Sequence, residues 1–402
     1  MNYLEKLLDG VEVVWKPLGE VSKLKRGKTI TAKTKIDGDI PVISGGQKPA
    51  YYNAKFNRDG ETITVAGSGA YAGFLMYWNQ PIFVSDAFSI KPDSKILITK
   101  FVFQFLANKQ EWIHNLQKGS GVPHVYPKDL EKVKIPIPCP DNPKKSLQIQ
   151  QKIVDILDTF TELTAELTAE LTAELTARKQ QFEYYREQLL SFDKDEVKHL
   201  PMGDESLGEF IRGKRFVKND IIDEGVPTIH YGEMYTHYGT WANQTKSFVS
   251  RELVDRKKLR LAEKGDVVIV AAGETIEDIG QGTAWLGDEG VVIHDACFYY
   301  KSELNPKYVA YFTRTRQFHD QIKKHIRTGK ISAINAKGLG KAIIPIPSLE
   351  EQERIVSILD KFDTLTTSIS EGLPKEIELR QKQYEFYRAL LLDFNKLKMN
   401  NG

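Results

Sequence analysis

Apolar residues between positions 153 and 175 fall at helical spacing. Ile153, Ile156, Leu157, Phe160, Leu163, Leu167, Leu171 and Leu175 recur at spacings of three and four, and no Pro or Gly occurs from Ser146 to Phe192. This is the pattern of an amphipathic helix. Inside it Thr-Ala-Glu-Leu stands three times without a break, from Thr164 to Leu175. Three of its four positions are good helix formers and Thr is a mediocre one. Leucine at every fourth position favours a helix over a disordered low-complexity spacer. About 45 residues of helix would measure roughly 65 Å, and its apolar stripe must be covered by something.

A second segment supplies the partner. Adding 202 maps "QKIVDILDTFTEL" (151 to 163) onto "ERIVSILDKFDTL" (353 to 365), and "QQFEYYREQLLSF" (180 to 192) onto "KQYEFYRALLLDF" (382 to 394). At the same offset Leu365, Ile369, Leu373 and Ile377 correspond to the four leucines of the first segment. "SLEE" at 348 to 351 reads as a capping box on Ser348 and Glu351. Gly372 and Pro374 predict a kink or split in this second helix.

The repeat continues upstream with gaps. "VKIPIP" (133 to 138) pairs with "AIIPIP" (342 to 347), "LGE" (18 to 20) with "LGE" (207 to 209), "IPVISGG" (40 to 46) with "VPTIHYG" (226 to 232), and "IFVSDAF" (82 to 88) with "VVIHDAC" (291 to 297). The expected organisation is a globular region over residues 1–145, a spacer helix over 146–195, a second globular region over 196–347 and a C-terminal helix over 348–402. The chain order requires the two helices, if they pair, to run antiparallel. The fold class is therefore α+β: two globular domains held apart by a pair of long antiparallel helices, with an internal pseudo-two-fold duplication. The globular regions match far less well than the helices, as expected of variable modules on a duplicated scaffold.

Composition adds little until it is taken by region. The 402 residues are 41% apolar and 27% charged, with a net charge of +2, ordinary for a globular protein. Two cysteines, Cys139 and Cys297, make no disulfide framework, so a reducing compartment and a cytoplasmic location are expected. No apolar run is long enough to span a membrane. Residues 11 to 140 carry 18 Lys and Arg against 11 Asp and Glu, and residues 201 to 347 carry 21 against 19. Basic runs interleaved with polar and aromatic residues, such as "KLKRGK" (23 to 28), "SGGQKPAYY" (44 to 52), "RGKR" (212 to 215) and "HYGEMYTHYGTW" (230 to 241), suit phosphate and base-edge contacts. The same residues would equally serve as a solvated surface.

Catalytic signatures are missing. "GSGAYAG" (67 to 73) has the wrong spacing for a dinucleotide fingerprint and reads as a tight turn. There is no phosphate-loop motif, no His-Glu-x-x-His, and too few cysteines for a Cys-rich metal site. His230, His237 and His294 show no ligand spacing. "EVK" (196 to 198) and "PDSK" (92 to 95) are too short to count as a nuclease motif, and the Asn-Pro-Pro-aromatic tetrapeptide of amino-methyltransferases is not found.

Two variable domains separated by helices with "IVxILDxF" and "YxxYRxxLL"-like endings resemble the specificity subunit of a type I restriction-modification enzyme, and the Thr-Ala-Glu-Leu tract resembles that family's IC group. The resemblance covers essentially the whole chain. It implies that each globular region is a target-recognition domain reading one half of a bipartite, asymmetric double-stranded DNA site. It implies that the helices space the domains and dock two methyltransferase subunits, with restriction-translocase subunits joining that assembly. It also implies that this chain is not itself an enzyme and binds no metal or other cofactor, S-adenosylmethionine, ATP and magnesium being handled by the partners. A nucleic-acid enzyme acting alone and a tether with protein-binding modules are the alternatives.

From paired position in the two halves, the expected DNA-binding residues are Lys25, Arg26, Lys28, Ser44, Gln47, Lys48, Tyr51, Ser68 and Tyr71 in the first domain. In the second they are Arg212, Lys214, Arg215, His230, Tyr231, Glu233, Tyr235, His237, Lys323, Lys324 and Lys330. Lys and Arg would mostly hold phosphates, while Gln, Ser, His and Glu are chemically suited to discriminate bases.

Overall fold

The computed structural model describes residues 3–394 apart from 9, 32, 34, 35, 120, 369 and 370. The chain is a mixed α+β protein. It divides into two compact units, residues 1–171 with 377–402, and residues 172–376. Each unit contains one globular module and parts of the helical segments, and the helix Pro143–Leu189 is continuous from one unit into the other.

In the first unit an antiparallel ladder of Val13–Pro17 with Lys134–Pro138 closes the module. Within it lie two sheets. One runs Ser22–Arg26, Ala87–Pro92, Glu61–Ala66, Leu75–Asn79 in spatial order, and the other Tyr51–Asn53, Ile40–Ile43, Phe83–Val84. Every residue of Thr62–Ala66 is buried, because this central strand is covered on both faces. Helix Thr99–Ala107 presses Phe101, Val102, Phe105 and Leu106 into the core that holds Ile63, Val65, Phe88 and Ile90. The Gly-rich turn at 67–73 joins two strands, with Gly69 and Gly73 at φ +86° and +89°, a backbone region that side chains disfavour.

The second unit repeats this plan with additions. Lys198–Pro201 pairs with Ile343–Ile346. Gly208–Arg212, Cys297–Ser302, Val267–Val270 and Gly282–Trp285 reproduce the four-stranded order, extended by Trp241–Ala242. Ser247–Val249, Val226–Ile229 and Val291–Ile293 reproduce the three-stranded one, extended by Ile221–Ile222 and Leu261–Ala262.

Both modules are tied to helix by the same residues at the same offset. Gln150 accepts from the Ile98 N–H and donates to the Ile96 carbonyl, each at 2.9 Å. Gln352 accepts from the Asn305 N–H and donates to the Pro347 carbonyl, each at 2.9 Å. Two helical turns on, Asp158 pairs with Lys100 and Asp360 with Lys307, both at 2.7 Å. A buried amide with both ends satisfied fixes position far better than apolar contact alone. In the first unit the paired helices run antiparallel: Phe160 stacks on Tyr387 at 5.6 Å, and Thr161 meets Tyr384 at 3.0 Å. In the second, Phe182 and Tyr185 stack on Phe362 at 6.2 and 5.5 Å.

Three sequence readings change, and the expected split of the second helix is present. The four leucines of the Thr-Ala-Glu-Leu tract do not form one buried stripe. Leu171 is 8% exposed and Leu163 54%, while Leu167 and Leu175 are half-buried. A four-residue repeat advances about 40° past a full turn at ~3.6 residues per turn, so the leucines fan around the helix. Of their offset partners, Leu373 is buried, Leu365 and Ile377 are half-buried, and Ile369 lies outside the described residues. The C-terminal segment splits between Leu349–Thr367 and Gly372–Leu391. Gly372, at φ +80° with Leu365 and Thr364 carbonyls 2.7 Å from any Cβ, makes the break. Pro374 sits in the first turn of the second piece, where its missing N–H costs nothing. Ser348 does cap its helix, accepting from the Glu351 N–H at 3.3 Å, but Glu351 pairs with Arg354 at 2.7 Å, so only half of a capping box forms.

The third change concerns repeat register. Leu18 and Gly19 donate to the Val133 and Glu131 carbonyls, and Met202 and Gly203 donate to those of Ala342 and Gly340. The counterpart of Leu18-Gly19 is therefore Met202-Gly203, and "LGE" at 207 to 209 opens the following strand instead. Similarly Val84 corresponds to Ile293 but Phe88 to Phe298, so module 2 carries one extra residue inside "VVIHDAC".

Candidate nucleic-acid interface

Both modules build a loop cluster in the same way, starting from Arg-Gly-Lys. In module 1 the strand Ser22–Arg26 ends and Gly27 passes directly over the end of Phe83–Val84. Its N–H donates to the Ala87 carbonyl at 2.8 Å and that of Lys28 to Val84 at 2.9 Å. A Cβ on Gly27 would lie 2.0 Å from the Ser85 carbonyl. In module 2 Gly213 donates to Cys297 and Lys214 to Ile293, both at 3.0 Å, and a Cβ on Gly213 would lie 2.3 Å from the Ile293 and His294 carbonyls. Only glycine lets the loop approach this closely. Arg26, Lys28, Arg212 and Lys214 are thereby placed beside the ends of two parallel strands.

Further loops converge there. In module 1 Ser44 follows the strand Ile40–Ile43, and Gly45 lies against Ser68, whose carbonyl would be 2.4 Å from a Cβ. The Ser68 hydroxyl donates to Asp86. Gly69 donates to Pro123 at 3.0 Å and Val125 to Gly67 at 3.1 Å, docking the 118–126 hairpin on the same site. Module 2 repeats this docking with Ile334 donating to Ala271 at 2.9 Å, and closes its hairpin through Arg327 and Ala333.

The expected residues divide by location. Arg26, Lys28, Ser44 and Ser68 come together, and Gln47, Lys48 and Tyr71 are exposed on adjoining turns. Tyr51 instead donates to the Ile30 carbonyl at 2.7 Å, which positions a loop. Lys25 lies on the opposite strand face from Arg26 and is not part of the cluster; its carbonyl accepts from Arg58 at 3.2 Å. In module 2 Arg212, Lys214, His230 and Tyr231 come together. Arg212 Nε donates to the Asp295 carbonyl at 2.9 Å, and Arg215 is exposed next to Lys214. The Glu233 carboxylate is used inside the module, accepting from the His230 N–H at 3.1 Å and from the Ser247 hydroxyl. Tyr235 donates to Ala272 at 3.4 Å, and burial pushes its phenol well above the ordinary range. His237 is exposed against Tyr238 at 4.9 Å. Lys323 and Lys324 end the helix Arg316–Lys323, and Lys330 is exposed in the docked hairpin.

Sequence reasoning missed several members. Tyr126 carries the Arg26 guanidinium at 5.7 Å and the Lys128 ammonium at 5.8 Å over its ring, and His124 stacks on it at 6.0 Å. In module 2 Arg260 donates to the Arg212 carbonyl at 2.7 Å, and His294 and Phe216 pack around His230. Tyr126, Arg260 and His294 lie 100, 48 and 64 positions from Arg26, Arg212 and His230, so no local pattern marks them. A cluster of cations, aromatic faces and short polar side chains on loop backbones suits phosphate contact and base-edge reading. Among the described residues no helix is long and apolar enough to cross a membrane.

Comparison with known proteins places this architecture. The family model of the type I restriction modification DNA specificity domain matches twice, over residues 10–177 and 204–379. The Escherichia coli EcoR124I/EcoR124II specificity subunit is 35% identical over 98% of each chain. A putative type I specificity subunit of Haemophilus influenzae is 33% identical over 98% of this chain and 99% of its own. A chain solved in work on complex assembly and conformational transition of the type I R-M system shares the fold, with a TM-score of 0.67 at 16% identity, over 95% of this chain and 98% of that one. The chain belongs to the type I restriction-modification DNA specificity family. It is a specificity subunit, and its role is DNA recognition.

Proposed function

We propose that the two modules read the two halves of a bipartite, asymmetric double-stranded DNA target, each through its Arg-Gly-Lys loop cluster. The observation that carries this reading is the repetition of one backbone frame around different side chains. Equal frames would dock on DNA alike, and unequal side chains would read different bases. Arg26, Lys28, Arg212, Lys214, Arg215, Lys323, Lys324 and Lys330 hold phosphates in this account.

The chain directs chemistry that it does not perform. Two copies of a methyltransferase subunit dock on the duplicated helices, and restriction-translocase subunits join through them. S-adenosylmethionine, ATP and magnesium belong to those partners. The doubled helical segments, matching at constant offset, favour two copies of one partner over two different ones.

The Thr-Ala-Glu-Leu units set the gap between the half-sites. One unit adds about 6 Å of helix and a net rotation of about 40°. A base pair adds about 3.4 Å and roughly 35°, at ~10 to 10.5 base pairs per turn. The test is to delete Thr172–Leu175 in cells carrying the complete system and to map methylated sites. Both half-sites should persist with the gap shortened by one base pair, or two at most; an unaltered gap would reduce the tract to an inert linker.

A further inference from the structure

The two loop clusters differ most sharply at one pair of positions. Ile43 and Val84 are parallel partners in module 1, and Ile229 and Ile293 in module 2. The next residue on each strand is Ser44 and Ser85 in module 1, and His230 and His294 in module 2. The backbone is equivalent at this point: Ser85 N–H donates to the Ile43 carbonyl at 2.8 Å, and His294 N–H to that of Ile229 at 3.4 Å. The overlying Arg-Gly-Lys is identical. A shared frame thus presents two hydroxyls in one module and two imidazoles in the other.

The imidazoles have unequal duties. His294 has both ring nitrogens engaged. Its Nε2 lies 3.1 Å from the Phe216 carbonyl, which can only accept, and its Nδ1 takes the Ala296 N–H at 3.1 Å. Phe216 packs edge-on against it at 5.0 Å. His230 sits 4.7 Å from the His294 ring and 4.6 Å from Tyr231. Its Nδ1 faces the Gly232 N–H at 3.4 Å, which leaves the proton on Nε2, and among the described residues nothing accepts from Nε2. Burial holds both histidines below the ordinary imidazole range, outweighing Glu233 beside His230 and Asp295 beside His294. His230 is thus a neutral ring with one uncommitted donor, fixed in direction by its neighbours.

We infer that His230 Nε2–H is a base-reading donor of module 2, that His294 is the positioning residue behind it, and that Ser44 holds the corresponding place in module 1. The complementary group is an acceptor on a base edge, such as N7 or O6 of guanine, N7 of adenine or O4 of thymine. This rests on the reading of the modules as independent half-site readers. One side chain touches one base pair, so the effect of each exchange is confined to one position of one half-site.

The experiment maps methylated chromosomal sites in cells carrying the complete system with wild type, His230→Ser, Ser44→His, His294→Ala or His294→Gln. A wild-type system with no defined bipartite site would remove the underlying reading and this inference with it. With a defined site, His230→Ser should relax one base pair of the second half-site about ten-fold, within the range of a good base contact, and leave the first half-site intact. Ser44→His should change one base pair of the first half-site only. His294→Ala should relax the same base pair as His230→Ser, while His294→Gln, which keeps a donor for the Phe216 carbonyl, should retain the wild-type preference. Unchanged preference in His230→Ser overturns the inference. If that variant loses methylation altogether, Ser44→His decides: no change, or change in both half-sites, overturns it.

Discussion

The helical segments and the globular modules have diverged in different ways. The helices keep side chains: Gln150 and Gln352, Asp158 and Asp360, Phe192 and Phe394 recur at one offset without a gap. The modules keep backbone instead. Their strand orders and loop dockings coincide, yet Ser44 corresponds to His230 and Ser85 to His294, and module 2 has one added strand on one sheet and two on the other. The segments retained at side-chain level anchor each module to helix in the same way. A segment retained only at backbone level presents new chemistry in a fixed frame. The retained Gln and Asp side chains meet the same module backbone and Lys twice, and the division suits the proposed reading of two different DNA half-sites.

The largest predicted effects break the frame rather than the chemistry. Gly27→Ala and Gly213→Ala each push a Cβ into backbone carbonyls, at 2.0 and 2.3 Å. Each should abolish discrimination at one half-site, by on the order of a hundred-fold or more, and spare the other. Site mapping by methylation reads this directly, and equal loss at both half-sites would refute independent frames.

Smaller effects come from the module–helix anchors. Asp158→Ala removes a partly exposed ion pair, worth up to ~1 kcal/mol. Asp360→Ala also strands the buried Tyr311 hydroxyl, which donates to Asp360 at 2.7 Å, and should cost about 2 kcal/mol or more. Local hydrogen exchange in the strands of each module measures the two losses, and the order should not reverse.

The smallest predicted effect is on pH. His230 and His294 are held below the ordinary imidazole value by burial. Between the folded and unfolded values the unfolded chain binds more protons, so stability falls as pH drops below about 6.5. Lys218 and Arg215 act with burial, Glu233 and Asp295 against it. Asp266 and Asp363, raised by burial, act in the opposite sense at lower pH. Strands Val226–Ile229 and Val291–Ile293 should therefore exchange faster at pH 6 than at pH 7.5, once corrected for intrinsic rates, with no such change in Ile40–Ile43.

The scaffold was legible in the sequence because helices declare themselves locally. Spacing, the lack of Pro and Gly, and the 202-residue offset each act within a few turns. The sequence also misled there: leucine at every fourth residue suggests a stripe, but the 40° drift leaves Leu163 exposed. The interface was legible only where it is local. Arg26 to Lys28 and Arg212 to Lys214 stand as visible basic runs, whereas Tyr126 under Arg26 and His294 behind His230 join through strand pairing across long separations. Glu233 looked suited to reading bases, and only tertiary structure shows its carboxylate engaged by Ser247 and the His230 backbone.

The central claim is that recognition is split between two independent modules on a common scaffold. Exchanging residues 200–344 for the corresponding module of another specificity subunit, with both Pro-Ile-Pro segments kept, tests it most directly. Methylated sites mapped in cells carrying the complete system should show a new second half-site, with the first half-site and the gap unchanged. If both half-sites change together, recognition is not divided in this way.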